Sequence, residues 1–252
     1  MYIKHLFYIF KTKKITNMKN ALIASSSTIY GSAYLEYLYP ELQILFNEAN
    51  TILFIPFARP NGISHQEYTE NVALAFQKIG KKIIGLHQFD DYQQAILAAE
   101  GIFTGGGNTF LLVSELYKHQ LFDVLQTAIA QGTPYLGTSA GSNIVGLSMQ
   151  TTNDMPIVYP PSFQTLGIIP FNLNPHYLDP VENGTHMGET RATRIAEFHQ
   201  YNAIPVLGLR EGSWLAVQGE NIVLKGPLTA RLFEKNKTPI EIVPETNLNN
   251  LK

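Results

Sequence analysis

The chain has 252 residues, enough for one large domain with its own core, and at most two. It contains no cysteine, which excludes disulfides, thiolate metal sites and a cysteine nucleophile. A net charge of −2 with 15% charged residues gives no electrostatic footprint for nucleic acid.

The first 17 residues, "MYIKHLFYIFKTKKITN", carry Lys4, Lys11, Lys13 and Lys14 and no acid, and a second methionine follows at Met18. Their apolar part, Leu6 to Phe10, is too short to span a bilayer and lacks the layout of a secretory signal. Residues 1–17 are expected to be a disordered or non-native extension. No later apolar run is long enough for a membrane span, so the expected setting is cytoplasmic.

From residue 21 strands and helices alternate. Ala21–Ser25 is a short apolar run ending in serines. "AYLEYLYPELQILFNEA" has helical spacing, with Pro40 expected to break or kink it. Thr51–Ala58 is continuously apolar, as a strand buried on both faces should be. A serine-capped helix then ends at Gly80, followed by the strand "KKIIGLH", the helix "DYQQAILAAE" and the strand "GIFTGGGN", which runs into a glycine loop. Helices are expected over Asn108–His119 and Phe122–Gln131, then the strand "PYLGT" and a helix over Ala140–Leu147. Toward the C-terminus come a strand, Pro205–Arg210, and a hairpin of "SWLAVQ" and "NIVLKG" across the turn "GEN". Residues 18–235 thus read as one α/β domain with a mostly parallel sheet and a C-terminal β-hairpin, and "EKNKTPIEIVPETNLNNLK" as a final short strand at best and then, over 236–252, a polar tail. Ligands of such sheets bind at the carboxyl ends of the strands.

At that edge lies "YLGTSAGSNIVG", in which Gly137, Thr138, Ser139, Ala140 and Gly141 fit Gly-x-Ser-x-Gly between a strand and a helix. Such a turn exposes the serine hydroxyl and aims the next backbone N–H at a reacting carbonyl. The glycine loop "TGGGNTF" fits neither a dinucleotide fingerprint nor a P-loop, and its backbone N–H groups suit an oxyanion hole better. A serine nucleophile needs a base, expected to be one of seven histidines. His119 and His199 fall in helical patterns and are expected to be exposed; His65 and His87 sit near element ends without a supporting motif. His186 lies in a polar loop, and His176, in "NLNPHYLDP", stands at a strand end and has the best setting. The orienting acid is either Asp154, in "TTNDMPI", or Glu211, in "GLREGSW". No metal-ligand spacing is present.

Taken together, "FIPFA", "GGGNTFLL", "PYLGTSAGSN", "TTNDMPIV", "NPHY", "GETRATRI" and "LREGSW" resemble the peptidase E family of α-aspartyl dipeptidases, in order and spacing over roughly residues 18–230. The resemblance implies a flavodoxin-like three-layer fold similar to class I glutamine amidotransferases. It implies a nucleophile at Ser139, a base at His176, a third member at Glu211, and oxyanion donors at Gly106 or Gly107 and at Ala140. Asp154 matches an aspartate the family also needs, either to support the site or to meet the substrate's amino group. Arg191, in "GETR", would bind the carboxylate of an N-terminal aspartate, with Arg194 and Arg210 as fallbacks. The implied substrates are Asp-Xaa dipeptides, cleaved without a cofactor by a monomer or homodimer. A cyanophycinase-like or isoaspartyl hydrolase, and a non-catalytic protein that binds a small anion, are the alternatives.

Overall fold

The computed structural model describes residues 18–180 and 188–251. Its first half is a repeating strand–helix chain: β1 (Asn20–Ala24), α1 (Tyr39–Leu45), β2 (Thr51–Ile55), α2 (His65–Gln77), β3 (Lys82–Gly85), α3 (Tyr92–Leu97), β4 (Ile102–Thr104). Two helices in succession, α4 (Thr109–Lys118) and α5 (Phe122–Ala130), precede β5 (Tyr135–Thr138) and the short α6 (Ala140–Asn143). The second half holds β6 (Asn172–Pro175), α7 (Arg191–Tyr201), β7 (Val206–Leu209), β8 (Trp214–Gln218), β9 (Asn221–Lys225), β10 (Ala230–Phe233) and β11 (Ile240–Ile242).

Seven strands form the main sheet in the order β3-β2-β4-β5-β1-β8-β9. The first five are parallel, and the β8–β9 hairpin closes the edge antiparallel to β1. Strand alternation sorts the side chains into two layers. Leu22, Ile52, Phe54, Phe103 and Leu136 face the core that holds Leu42 of α1 and Val72 and Phe76 of α2. Ile23, Leu53, Ile55, Ile102 and Tyr135 face the core that holds Ile96, Leu112, Leu116 and Leu125 of α3 to α5. Helices on both faces of a mostly parallel sheet make the expected three-layer sandwich.

Local chemistry starts the helices where the sequence predicts. Ser64 and Glu67 form a reciprocal capping box at α2, Asp91 caps α3, and Asn108 caps α4. Pro40 breaks the helical run, as expected: a 3₁₀ turn over Glu36–Leu38 precedes it, and α1 starts anew with Pro40 in its first turn, where the missing N–H has no helical partner to lose. The helix expected over Ala140–Leu147 stops at Asn143. At Gly146 the backbone runs so close to β6 that a Cβ there would lie 2.8 Å from the Phe171 oxygen.

A second sheet, β11-β10-β7-β6, was not anticipated. It pairs β6 with β7 in parallel, and its Leu173, Leu207, Leu209 and Leu232 join the core on the α3–α5 side. The short strand allowed for the last stretch is present, but the residues after it do not trail away as a polar tail. β11 pairs with β10, and Leu248, 2% exposed, packs into the same core. The expected extension over residues 1–17 and the expected loop at His186 lie outside the described residues.

Candidate active site

β1, β5, β6 and β7 bring their carboxyl ends together. Ser139 follows β5 directly and has φ 55° and ψ −112°, outside the ordinary regions for an L-residue. Such a conformation costs about 1–3 kcal/mol and persists only where the surroundings enforce it. Here the Ser139 N–H donates to Ala24 O at 3.3 Å, and the Ser142 hydroxyl donates to the same oxygen at 2.6 Å. Gly141 has no room for a side chain, since a Cβ would stand 2.1 Å from Thr104 O. Small residues around Ser139 are a packing requirement of the turn.

His176 follows β6 and also has a positive φ, 54°. Its backbone N–H donates to the buried Ser25 hydroxyl at 2.9 Å, and that hydroxyl donates to Leu209 O at 2.7 Å. One serine at the end of β1 thus ties the histidine to the end of β7. The imidazole Nε2 lies 2.8 Å from Ser139 Oγ, and Nδ1 lies 2.6 Å from Glu211 Oε1. A carboxylate only accepts, so Nδ1 carries the hydrogen and the Nε2 lone pair faces the serine hydroxyl.

Of the two candidate acids, Glu211 is the one bonded to His176. Asp154 sits on the far side of the cleft at the start of α4. Its Oδ2 accepts from the Thr109 N–H at 2.7 Å and from the Thr152 hydroxyl at 3.1 Å. Asp154 and Ser139 line one cleft with Thr152, Asn153 and His176. Asn153 donates to Pro175 O at 2.6 Å and accepts from the Asn174 side-chain amide at 2.8 Å, which fixes this wall against β6.

The arginines separate clearly. Arg191 opens α7 and lines a small pocket with Asn153, Thr152 and Arg194. Burial holds its guanidinium below the usual arginine range, Arg194 adds to that, and Asp154 opposes it. It has no ion-pair partner among the described residues, so it faces the pocket as an unneutralised cation. Arg194 is more exposed and approaches Glu189 at 3.7 Å. Arg210 is saturated: it forks onto Asp179 at 2.8 and 2.9 Å, onto Glu241 at 2.8 and 3.1 Å, and reaches Thr229. It clamps the second sheet and has no donor left to offer a ligand.

Gly106 abuts Ser139, and no described residue accepts the Gly106 or Gly107 N–H. Ala140, at the start of α6, is the third residue of the expected oxyanion set and is buried beside Ser139. His65, His87 and His119 gather instead around Phe57 and Tyr92, away from Ser139. His199 is buried, 7% exposed, with Nε2 3.0 Å from Ile204 O, so the expectation of an exposed helical histidine fails there. Ser25 is the residue that sequence reasoning missed. Its only signal is its place at the end of a buried strand. Among the described residues no group of histidines and carboxylates has the arrangement of a metal site.

Fold and geometry define a class: an α/β protein carrying the hydrogen-bonded serine–histidine–carboxylate arrangement that serine hydrolases use. Within it the chain belongs to the family described as Peptidase family S51, whose profile matches residues 21–225. A Drosophila melanogaster protein named "Probable alpha-aspartyl dipeptidase" is 45% identical over 93% of this chain and 98% of its own. Peptidase E of Streptomyces coelicolor is 44% identical over 92% of this chain and 94% of its own. The crystal structure of a peptidase from an acI-B1 Actinobacterium superposes with a TM-score of 0.69 over 92% of this chain and 98% of that one; at 14% identity it supports the fold alone. The resemblance to peptidase E read from seven short segments thus extends over nearly the whole chain.

Proposed function

We propose that the protein is a serine-type dipeptidase that releases aspartate from the N-terminus of Asp-Xaa dipeptides through an acyl-enzyme. The observation that carries this reading is the continuous chain Ser139 Oγ–His176 Nε2 and His176 Nδ1–Glu211 Oε1, at 2.8 and 2.6 Å. His176 takes the proton of Ser139 as the oxygen attacks the aspartyl carbonyl. The oxyanion is held by the amides of Ala140 and of Gly106 or Gly107. His176 then passes the proton to the leaving amine, and water, activated by the same imidazole, frees aspartate. Glu211 keeps the imidazole in the useful tautomer and stabilises its protonated form. No cofactor enters these steps.

Opposite charges support the substrate class: Asp154 lines the cleft of Ser139, and Arg191 lines an adjoining pocket that shares Thr152 and Asn153 with it. An N-terminal aspartate brings an ammonium and a side-chain carboxylate. Asp154 offers the first an acceptor, and Arg191 offers the second a planar fork. A neutral or basic N-terminal residue would leave Arg191 half-buried and uncompensated.

The test is hydrolysis of α-Asp-Leu, β-Asp-Leu, Glu-Leu, Ala-Leu and a longer peptide beginning with Asp, by the protein and by Ser139→Ala. Cleavage of α-Asp-Leu far above the others, lost in the variant, is the expected result. A preference for β-Asp-Leu would move the protein to isoaspartyl hydrolysis. Inertness of well-folded protein to the whole panel would leave a binding protein.

A further inference from the structure

The glycine loop can hold an oxyanion only if its peptide planes are turned the right way, and Ser139 does not turn them. Gly106 lies against the serine: a Cβ at Gly106 would stand 2.9 Å from Ser139 Cβ. Its carbonyl oxygen accepts a hydrogen bond from the buried Tyr68 hydroxyl at 3.1 Å. The peptide bond that follows is trans. In a trans peptide the carbonyl and the next N–H point in opposite directions. A carbonyl held by a phenol therefore turns the Gly107 N–H away from Tyr68, and no described residue accepts it.

Tyr68 is well placed for this. It projects from α2, is 3% exposed, and stands edge-on to Phe54 with ring centroids 4.9 Å apart. The Arg59 guanidinium lies 4.9 Å above the ring. A cation over the ring draws density from the phenol and strengthens its O–H as a donor. Donation to Gly106 O in turn polarises the peptide and strengthens the Gly107 N–H. The core side of the loop is closed as well, since the Asn108 N–H donates to Ala58 O at 2.7 Å.

We propose that Tyr68 is a positioning residue for the reaction, acting through the Gly106 carbonyl to orient and polarise the Gly107 amide that receives the oxyanion. The inference rests on the serine-dipeptidase reading above. It assigns Tyr68 an effect on the transition state and none on substrate binding, because Tyr68 touches no cleft group except through that peptide.

The experiment compares wild type, Ser139→Ala and Tyr68→Phe on α-Asp-Leu. Binding of a boronic acid analogue of aspartate, whose tetrahedral adduct on Ser139 fills the same hole, is measured in parallel. Tyr68→Phe is expected to lower kcat about tenfold, less than loss of a direct oxyanion donor, with KM within about twofold of wild type. Affinity for the boronic acid should fall by the same factor as kcat. A variant with wild-type kcat and boronate affinity overturns the proposal and leaves the dipeptidase reading intact. A rise in KM at constant kcat overturns it too, since that marks a substrate contact. Wild-type protein inert to α-Asp-Leu overturns both. Should Tyr68→Phe not fold, Arg59→Met carries the test from the surface. A fall of about twofold in kcat at constant KM is then expected, and unchanged kcat overturns the proposal.

Discussion

At the scale of single residues, the two acids differ by what they touch. Glu211 bonds His176 Nδ1 at 2.6 Å, whereas Asp154 is held by Thr109 and Thr152 at a helix start. Glu211→Gln keeps the shape and can still bond Nδ1, but it can do so by donating. The hydrogen then moves to Nε2 and the lone pair facing Ser139 is lost. A fall in kcat of about 10²–10⁴ with little change in KM is expected, measured on α-Asp-Leu. On the proposed reading, in which the Asp154 charge meets the substrate's ammonium, the same neutralisation at Asp154 should appear mainly in KM. If Asp154→Asn has the larger effect on kcat, the assignment of the orienting acid is wrong.

At the scale of elements, the site is a junction of strand ends, and Ser25 is its pin. Its hydroxyl is fully buried, accepts from His176 N and donates to Leu209 O. Ser25→Ala leaves the part-buried His176 N–H without its partner, while Leu209 O keeps the Tyr177 N–H at 3.1 Å, at a cost of about 1 kcal/mol in stability by denaturant unfolding. It also releases the positive-φ backbone of His176, so kcat should fall while the Ser139 turn stays formed. Unchanged kcat with reduced stability would confine Ser25 to the fold. That pin also shows what was legible in the sequence. Apolar runs bounded by serines and glycines located β1, β2, β4 and β5, and the strand-end rule placed Ser139 and His176 on one edge. Spacing within a strand does not say which strand lies beside it. The pairing of β6 with β7, and with it the second sheet, therefore stayed hidden. From the residues alone the acid stayed open between Asp154 and Glu211 for the same reason, since only tertiary pairing brings residue 211 to residue 176; the family resemblance is what pointed to Glu211.

At the scale of the molecule, Arg210 holds the outer end of the second sheet beside the site. It precedes Glu211 in sequence and joins Asp179, beyond β6, to Thr229 and Glu241, at β10 and β11. Its hydrogen bonds hold the Asp179 and Glu241 carboxyls below their ordinary values of 3.8 and 4.5. A carboxyl whose folded value is depressed contributes stability above its unfolded value. That contribution is lost as pH falls through the depressed folded value. Both carboxylates are 43% exposed, so solvent screens them and the contribution is modest. Arg210→Met should destabilise the protein by about 1–2 kcal/mol at pH 7 in urea unfolding. The gap between variant and wild type should close as pH drops below the ordinary carboxylate range, because protonation removes in the wild type what the substitution removes in the variant. A gap that persists undiminished at low pH would mean that Arg210 acts through contacts that do not titrate, its bonds to Thr229 and its guanidinium carbon 5.6 Å from the Tyr177 ring, and not through its pairs with Asp179 and Glu241. The test separates the carboxylate pairs from the contacts that do not titrate, at the point where the added sheet meets the acid bonded to His176.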